Sequence, residues 1–126
     1  MNAVDTNVLV RLIVRDDEAQ VRAAEQFASK GVWVSHLVLA ETLWVLDAVY
    51  GRTAEQIAAA ADELLNHESL ALQDAEVVAA ALERFRIRPS LKFSDCLVVE
   101  IARKAGHLPV GTFDRDFAKS ADVQRL

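Results

Sequence analysis

Two acidic residues stand on predicted helices where ordinary surface acids are not expected. Glu41 has only apolar residues three and four positions away: Leu37, Val38, Trp44 and Val45. No basic residue on that helix can pair with it, and burying an ionised carboxylate without a partner costs several kcal/mol. Asp95 repeats the pattern on another helix, with apolar neighbours at Val98 and Val99. Both acids are therefore candidates for a functional site.

Two further acids follow predicted strands. Asp5 comes directly after the first strand, and Asp114 comes after the fourth. Open α/β sheets bind their ligands at the carboxyl ends of their strands. Because the helices that carry Glu41 and Asp95 are expected to begin at this same edge, all four carboxylates can converge. Asp116, two residues after Asp114, is a weaker fifth candidate.

A converging group of carboxylates favours cation binding. Two unit charges about 4 Å apart repel by about 1 kcal/mol in water and by about 4 kcal/mol at an effective dielectric constant of about 20. The acids must therefore protonate or bind a metal ion, and Mg²⁺ or Mn²⁺ suits ligands that are all oxygen. Polar neighbours can orient the carboxylates or hold metal-bound water: Thr6, Asn7, Ser94 and Thr112.

The elements that must position these acids alternate between strand and helix. This pattern predicts an α/β fold, with three α/β/α layers around a short, mostly parallel central sheet. Short apolar runs predict a buried first strand ending in Ala3-Val4, and further strands at 32–34, 70–72, 108–112 and, at an edge, 123–126. One predicted helix follows the first strand, with Thr6 or Asn7 as its N-cap. Five further helices are predicted at 16–29, 36–50, 54–66, 75–85 and 95–105. Their predicted N-caps include Ser35, Thr53, Asp74 and Ser94. Residues 86–90 are predicted to form a loop, because Pro89 disfavours helix at Arg88.

Composition predicts one globular domain over residues 1–126. The chain is 52% hydrophobic and has only one cysteine, Cys96, which excludes an internal disulfide and fits a reducing compartment. No apolar run approaches the length of a membrane helix, so we expect a cytoplasmic protein without a membrane partner. The net charge of −5 argues against a partner bound by bulk electrostatics.

The four acids lie in segments that resemble, in order, the motifs of PIN-domain nucleases. Asp5-Thr6-Asn7-Val8-Leu9-Val10-Arg11 resembles the opening motif. The second, third and fourth motifs resemble Leu39-Ala40-Glu41, Phe93-Ser94-Asp95-Cys96-Leu97 and Thr112-Phe113-Asp114-Arg115-Asp116-Phe117. The likeness spans nearly the whole chain, and the compact size is similar to that of VapC-type toxins of bacterial toxin–antitoxin pairs.

The resemblance implies a metal-dependent endoribonuclease that cleaves RNA with Mg²⁺ or Mn²⁺. Asp5, Glu41, Asp95 and Asp114 match the family's acidic residues, and Asp116 matches a more variable acid. The resemblance also implies a homodimer and a cognate antitoxin. Because the site is a negative patch, the antitoxin should present Arg on an apolar segment, which would fold onto a groove between the opening helix and the helix after Ser35.

Basic residues near the acids are candidates for RNA contact. A cluster precedes Asp95, and a weaker candidate follows the opening motif: Arg84, Arg86, Arg88 and Lys92, then Arg11. A solvated loop is an equally good interpretation of the cluster. Glu100 has Arg103 and Lys104 three and four residues later and is predicted to be a salt-bridged surface acid.

Apolar helix faces favour the predicted homodimer. Its predicted surface combines two helices: Trp44, Val45, Val49 and Tyr50 with Ile57, Leu64 and Leu65. Trp33 and Trp44 are expected in the core or an interface rather than as platforms for bases.

Other classes of function fit parts of the pattern. A non-enzymatic receiver-like module could accept a phosphoryl group on a strand-end Asp, but it gives Glu41 no role, and no Lys follows the fourth strand. A dehalogenase-like phosphatase would need a second Asp where Asn7 stands. A metal-free ribonuclease would need its histidines together, whereas His36, His67 and His107 lie on separate elements.

Overall fold

The computed structural model describes residues 1–126, which form five short strands, six α-helices and one 3₁₀ turn. The strands are β1 (Asn2–Ala3), β2 (Val32–Val34), β3 (Leu70–Leu72), β4 (Val110–Thr112) and β5 (Val123–Arg125). The helices are α1 (Thr6–Val14), α2 (Glu18–Ala28), α3 (His36–Ala48), α4 (Ala54–Asn66), α5 (Ala75–Ile87) and α6 (Phe93–Ala105). The 3₁₀ turn covers Phe117–Lys119. The mixed α/β fold predicted from the alternation of elements is confirmed.

All strand pairs are parallel, as predicted, but they form two sheets. β2 lies between β1 and β3, with Val32 opposite Asn2 and Leu70. β4 and β5 form a separate pair, with Val110 opposite Val123. The prediction of a buried first strand is wrong, because both residues of β1 are exposed and only the following Val4 is buried. Two small or polar residues offer too little apolar surface for a central position.

The hydrophobic core lies where the helices meet the three-stranded sheet. Leu43 and Leu46 place α3 in its centre, where this helix packs on α1, α4 and α6. Ile57 and Leu64 of α4 are also buried in this core. They are therefore not available for the predicted dimer surface, because the fold itself covers that face of α4.

The helix starts show which sequence signals were decisive. Ser35 caps α3 by accepting the Val38 N–H at 3.1 Å, and Thr53 forms a capping box with Gln56. These N-cap predictions are confirmed. The N-cap of α1 is Asp5 rather than Thr6 or Asn7.

Two predictions around α5 and α6 are wrong. α6 begins at Phe93, so Ser94 lies in the first turn of this helix rather than before it. The N-cap of α6 is Lys92, whose side chain makes no capping hydrogen bond. α5 continues to Ile87, so the loop begins only at Arg88, the one residue whose conformation Pro89 restricts directly.

Glu100 is a buried acid rather than the predicted surface one. It accepts hydrogen bonds from Arg84 at 2.9 and 3.1 Å, and the two side chains are only 8% and 11% exposed. Arg103 also donates to Glu100, whereas Lys104 binds Asp74 at 2.8 Å instead. A partner sixteen residues away on another helix cannot be seen in helical spacing.

None of the helices is long and apolar enough to cross a membrane.

Candidate functional site

Asp5 and Glu41 are linked through the turn that follows β1. Asp5 accepts the Val8 N–H at 3.1 Å and so fixes its own carboxylate at the start of α1. The next residue, Thr6, donates its hydroxyl to Glu41 Oε2 at 2.9 Å. Glu41 is exposed, because its helix neighbours Leu37 and Trp44 are themselves exposed. The expectation that its apolar neighbours bury Glu41 is therefore wrong.

Asp95 and Asp114 form the second pair of acids. Asp95 lies in the first turn of α6 and is half-buried. Burial raises the pKa of Asp95, the positive charge of Lys92 opposes this shift, and the carboxylate of Asp114 adds to it. The backbone N–H groups of Asp116 and Phe117 donate to Asp114 Oδ1 at 2.8 and 3.0 Å and hold that carboxylate just beyond β4.

Asp116 connects two segments of chain through both carboxylate oxygens. Ser90 donates to Oδ2 at 2.7 Å, and Arg88 donates to Oδ1 at 3.0 Å. The hydrogen bond from Ser90, together with Arg88, lowers the pKa of Asp116. Its two oxygens anchor the loop before α6 to the segment after β4, and direct metal binding by Asp116 stays a prediction.

The four main acids are brought together in pairs rather than as one cluster. No group of three or more Asp, Glu, His and Cys side chains is arranged to hold a metal ion. Ala40 and Ser94, the residues preceding Glu41 and Asp95, line a groove whose lining includes none of the four acids. The groove has a volume of about 470 Å³.

A comparison with known protein families matches the PIN domain over residues 3–123. The chain belongs to the PIN domain family. No curated protein and no solved structure matches it significantly. PIN domains are typically nucleases, and PIN nucleases generally bind RNA and use divalent metal ions.

The four acids offer this PIN domain a donor set that suits such an ion. Carboxylate oxygens are the hard ligands that Mg²⁺ and Mn²⁺ prefer. Of the predicted supporting residues, Thr6 orients Glu41, and Thr112 Oγ1 accepts the Asp114 N–H at 3.0 Å. Asn7 is exposed and Ser94 is half-buried, and neither side chain forms a hydrogen bond within the protein.

Four of the five predicted RNA-contact residues are held by other parts of the PIN domain. Arg11 donates to Asp16 and Tyr50, and Arg86 pairs with Glu83, as Arg88 does with Asp116. Arg84 uses its donors on Glu100, Ser120 and the carbonyl of Ala121 and is only 11% exposed, which argues against the predicted contact with RNA. Only Lys92 forms no salt bridge.

The sequence did not single out Arg52, and it predicted Trp44 only in the core or an interface. Arg52 lies between α3 and α4, is half-buried, and lines the same groove as Lys92. Its position after Gly51 carries no signal of its own. Trp44 also lines the groove, and the spacing of three residues from Glu41 placed it on the same helix face from the start.

Proposed function

We propose that this PIN domain is a Mg²⁺- or Mn²⁺-dependent endoribonuclease and the toxin of a toxin–antitoxin pair. The observation that supports this most is the pair Asp95 and Asp114. Burial and the carboxylate of Asp114 raise the pKa of Asp95 against the opposing charge of Lys92, and a bound cation would favour the ionised form. A site built this way gains most from a divalent ion.

The four acids would bind the ion, and neighbouring hydrogen-bond donors orient their carboxylates. Asp5, Glu41, Asp95 and Asp114 would hold the ion, which when bound supplies an activated water and neutralises charge on the phosphate. Thr6 fixes the direction of Glu41, and the backbone N–H groups after β4 fix Asp114. Hydrolysis by water rather than by the 2′-hydroxyl leaves 5′-phosphate and 3′-hydroxyl ends.

The test is cleavage of total RNA with Mg²⁺ or with EDTA, followed by mapping of the new ends. Asp5→Asn should abolish cleavage without unfolding the protein, because Asn caps a helix about as well as Asp does. Asp62→Asn, a change of an exposed acid on α4, is the matched control. Near wild-type activity in Asp5→Asn, or 2′,3′-cyclic phosphate ends, would refute the proposal. A receiver-like module would instead take up phosphoryl groups from acetyl phosphate and leave RNA intact.

The proposed antitoxin would carry an Arg-bearing, basic and apolar segment that competes for the acids. The helices α1 and α3, between which the groove was expected, pack against each other. An apolar groove of about 410 Å³ lies instead between α1 and α4, lined by Leu12, Ile13 and Leu64. The segment is expected to bind there and extend its Arg to the site.

A candidate antitoxin peptide tests this directly. Replacing its site-facing Arg by Ala should restore RNA cleavage more than it weakens binding, since the apolar contacts remain. A tight complex that cleaves RNA as fast as the free protein would contradict the proposed inhibition.

A further inference from the structure

A cation without a partner lies directly beside one of the four acids. Of the fourteen Lys and Arg residues, eight form salt bridges and six do not. Arg115 is one of the six, and its side chain is exposed. Among these six it is the one that adjoins an acid of the proposed site, because it follows Asp114 in the chain. The Cα atoms of the two residues are therefore about 3.8 Å apart.

The acids on either side of Arg115 do not neutralise it. Both oxygens of Asp116 are occupied, since Ser90 donates to Oδ2 and Arg88 donates to Oδ1. Asp114 Oδ1 accepts two backbone N–H groups, and Oδ2 accepts no hydrogen bond within the protein. Arg115 thus keeps an uncompensated positive charge on a protein whose net charge is −5. The carboxylate of Asp114 keeps one oxygen open to an ion.

The turn that carries Arg115 is held in place. The Asp114 N–H donates to Thr112 Oγ1 at 3.0 Å, and the Ala118 N–H donates to the Asp114 carbonyl at 3.0 Å. Phe117, which is only 6% exposed, packs the end of the turn into the core. The backbone of Arg115 is therefore fixed relative to Asp114 before any ligand binds, while its side chain remains free to contact one.

The proposed hydrolysis creates negative charge that carboxylates cannot stabilise. A water oxygen bonds to phosphorus, the P–O3′ bond breaks, the water gives up a proton, and O3′ takes one up. The charge on the oxygens around phosphorus is best stabilised by donors that are positioned in advance. A guanidinium suits this task, because it is always protonated and its planar fork can donate to two phosphate oxygens at once.

We propose that Arg115 is a catalytic residue that contacts the scissile phosphate and stabilises the charge on its oxygens while the P–O3′ bond breaks. The inference rests on the proposed ribonuclease function, and it adds a residue that acts on the substrate without binding the metal ion. Because the contact strengthens as charge develops, Arg115 contributes more to the cleavage rate than to RNA affinity.

The test compares Arg115→Gln with Lys119→Gln. Lys119 is the matched control, because it is exposed, forms no salt bridge and ends the 3₁₀ turn that follows Arg115. The substrate is a fluorescein-labelled RNA oligonucleotide that spans a cleavage site mapped in total RNA. Single-turnover cleavage with Mg²⁺ gives the rate, and fluorescence anisotropy in the Asp5→Asn background gives the affinity. Thermal melts with and without Mg²⁺ report binding of the ion independently of activity.

Arg115→Gln should lower the cleavage rate roughly 10²- to 10³-fold, the loss typical of removing one preorganised donor. Its RNA affinity should fall by less than about tenfold, since one phosphate contact among several is lost. The rise in melting temperature on adding Mg²⁺ should equal that of the wild type. Arg115→Lys should recover part of the rate, because it keeps the charge and loses the fork. Lys119→Gln should cleave at the wild-type rate.

Three results would overturn the catalytic role while leaving the proposed nuclease intact. These are a wild-type rate in Arg115→Gln, an equal loss of rate in Lys119→Gln, and a rate that falls only as far as RNA affinity does. Loss of the Mg²⁺ effect on melting in Arg115→Gln would also overturn it, since Arg115 would then support the ion rather than the substrate. A wild-type protein that leaves RNA intact with Mg²⁺ would refute the nuclease, and the role of Arg115 with it.

Discussion

At the scale of single residues, Asp95 shows how a residue of the proposed site can lower the stability of the fold. Burial and Asp114 disfavour its ionised form, and only the field of Lys92 works in the other direction. Because the pKa of Asp95 is raised in the folded state, folding favours the protonated carboxyl. At neutral pH the ionised carboxylate therefore lowers the free energy of unfolding.

The first prediction follows from this sign. In EDTA at pH 7, Asp95→Asn should abolish RNA cleavage and raise the melting temperature. The gain should disappear as the pH falls below about 3.9, the unfolded pKa of Asp, where the carboxyl is protonated in both states. Thermal melts between pH 3 and 8 measure it, and Mg²⁺ should stabilise the wild type more than the variant. A variant that melts below the wild type at pH 7 would show that Asp95 is a stabilising ionised group.

Asp116 permits a second prediction that separates an anchor from a metal ligand. Asp116→Asn keeps an oxygen for Ser90 and loses the ion pair with Arg88, which is partly exposed and worth about 0–1 kcal/mol. The Mg²⁺ concentration for half-maximal cleavage should stay the same, whereas Asp114→Asn should raise it at least tenfold. An equal rise of this Mg²⁺ concentration in both variants would show that Asp116 also binds the metal ion.

At the scale of elements, a buried ion pair joins three parts of the chain. Arg84 of α5 binds Glu100 of α6, and it also binds Ser120 and the Ala121 carbonyl before β5. Arg103 and Asp122 extend the network. Charges this enclosed specify geometry, because either one without its partner is costly.

The third prediction tests this network by urea unfolding. Glu100→Gln should lower the free energy of unfolding by about 3–5 kcal/mol, since the charge of Arg84 stays buried without its main partner. The double variant Arg84→Met, Glu100→Leu should recover much of the loss. Arg22→Met, which removes an exposed pair with Glu18, is the control. A double variant no more stable than Glu100→Gln would contradict the account.

Local signals explain which elements the sequence could predict. β2, β3 and α4 were predicted with their observed bounds, because apolar runs and a capping box act within a few residues. The start of α6 was predicted wrongly. Ser94 is of a residue type that commonly caps helices, but Phe93 before it is already helical, so Ser94 cannot be the N-cap. The four acids were identified as candidates from the apolar residues around Glu41 and Asp95 and from the order of the four motifs along the chain. The positions of Arg52 and Trp44 along one groove and the partner of Glu100 depend on contacts between distant segments, which no local pattern encodes.

At the scale of the whole molecule, apolar side chains on the surface suggest association. The predicted surface has lost Ile57 and Leu64 to the core, but Leu37, Val98 and Phe113 are 69%, 47% and 81% exposed. Large apolar side chains this exposed are candidates for contact with a second copy of the chain. We therefore retain the homodimer as a proposal and move its surface away from α4.

The fourth prediction is that sedimentation at micromolar concentration gives a dimer. Phe113→Ser or Val98→Ser should shift it toward monomer, while Ile57→Ala should mainly lower the free energy of unfolding, by about 2–5 kcal/mol, because Ile57 is buried. A clean monomer in the wild type would refute the dimer.

The carboxylate of Asp5 caps the start of α1 and also belongs to the proposed acidic site. Asn fills a helix cap about as well, and its codons differ from those of Asp by one base. On the proposed function, the gene is therefore one point mutation from an inactive form that keeps its fold and its surfaces. Selection for survivors of the active protein should return Asp5→Asn repeatedly, and lineages descended from it would carry intact PIN domains kept for binding alone.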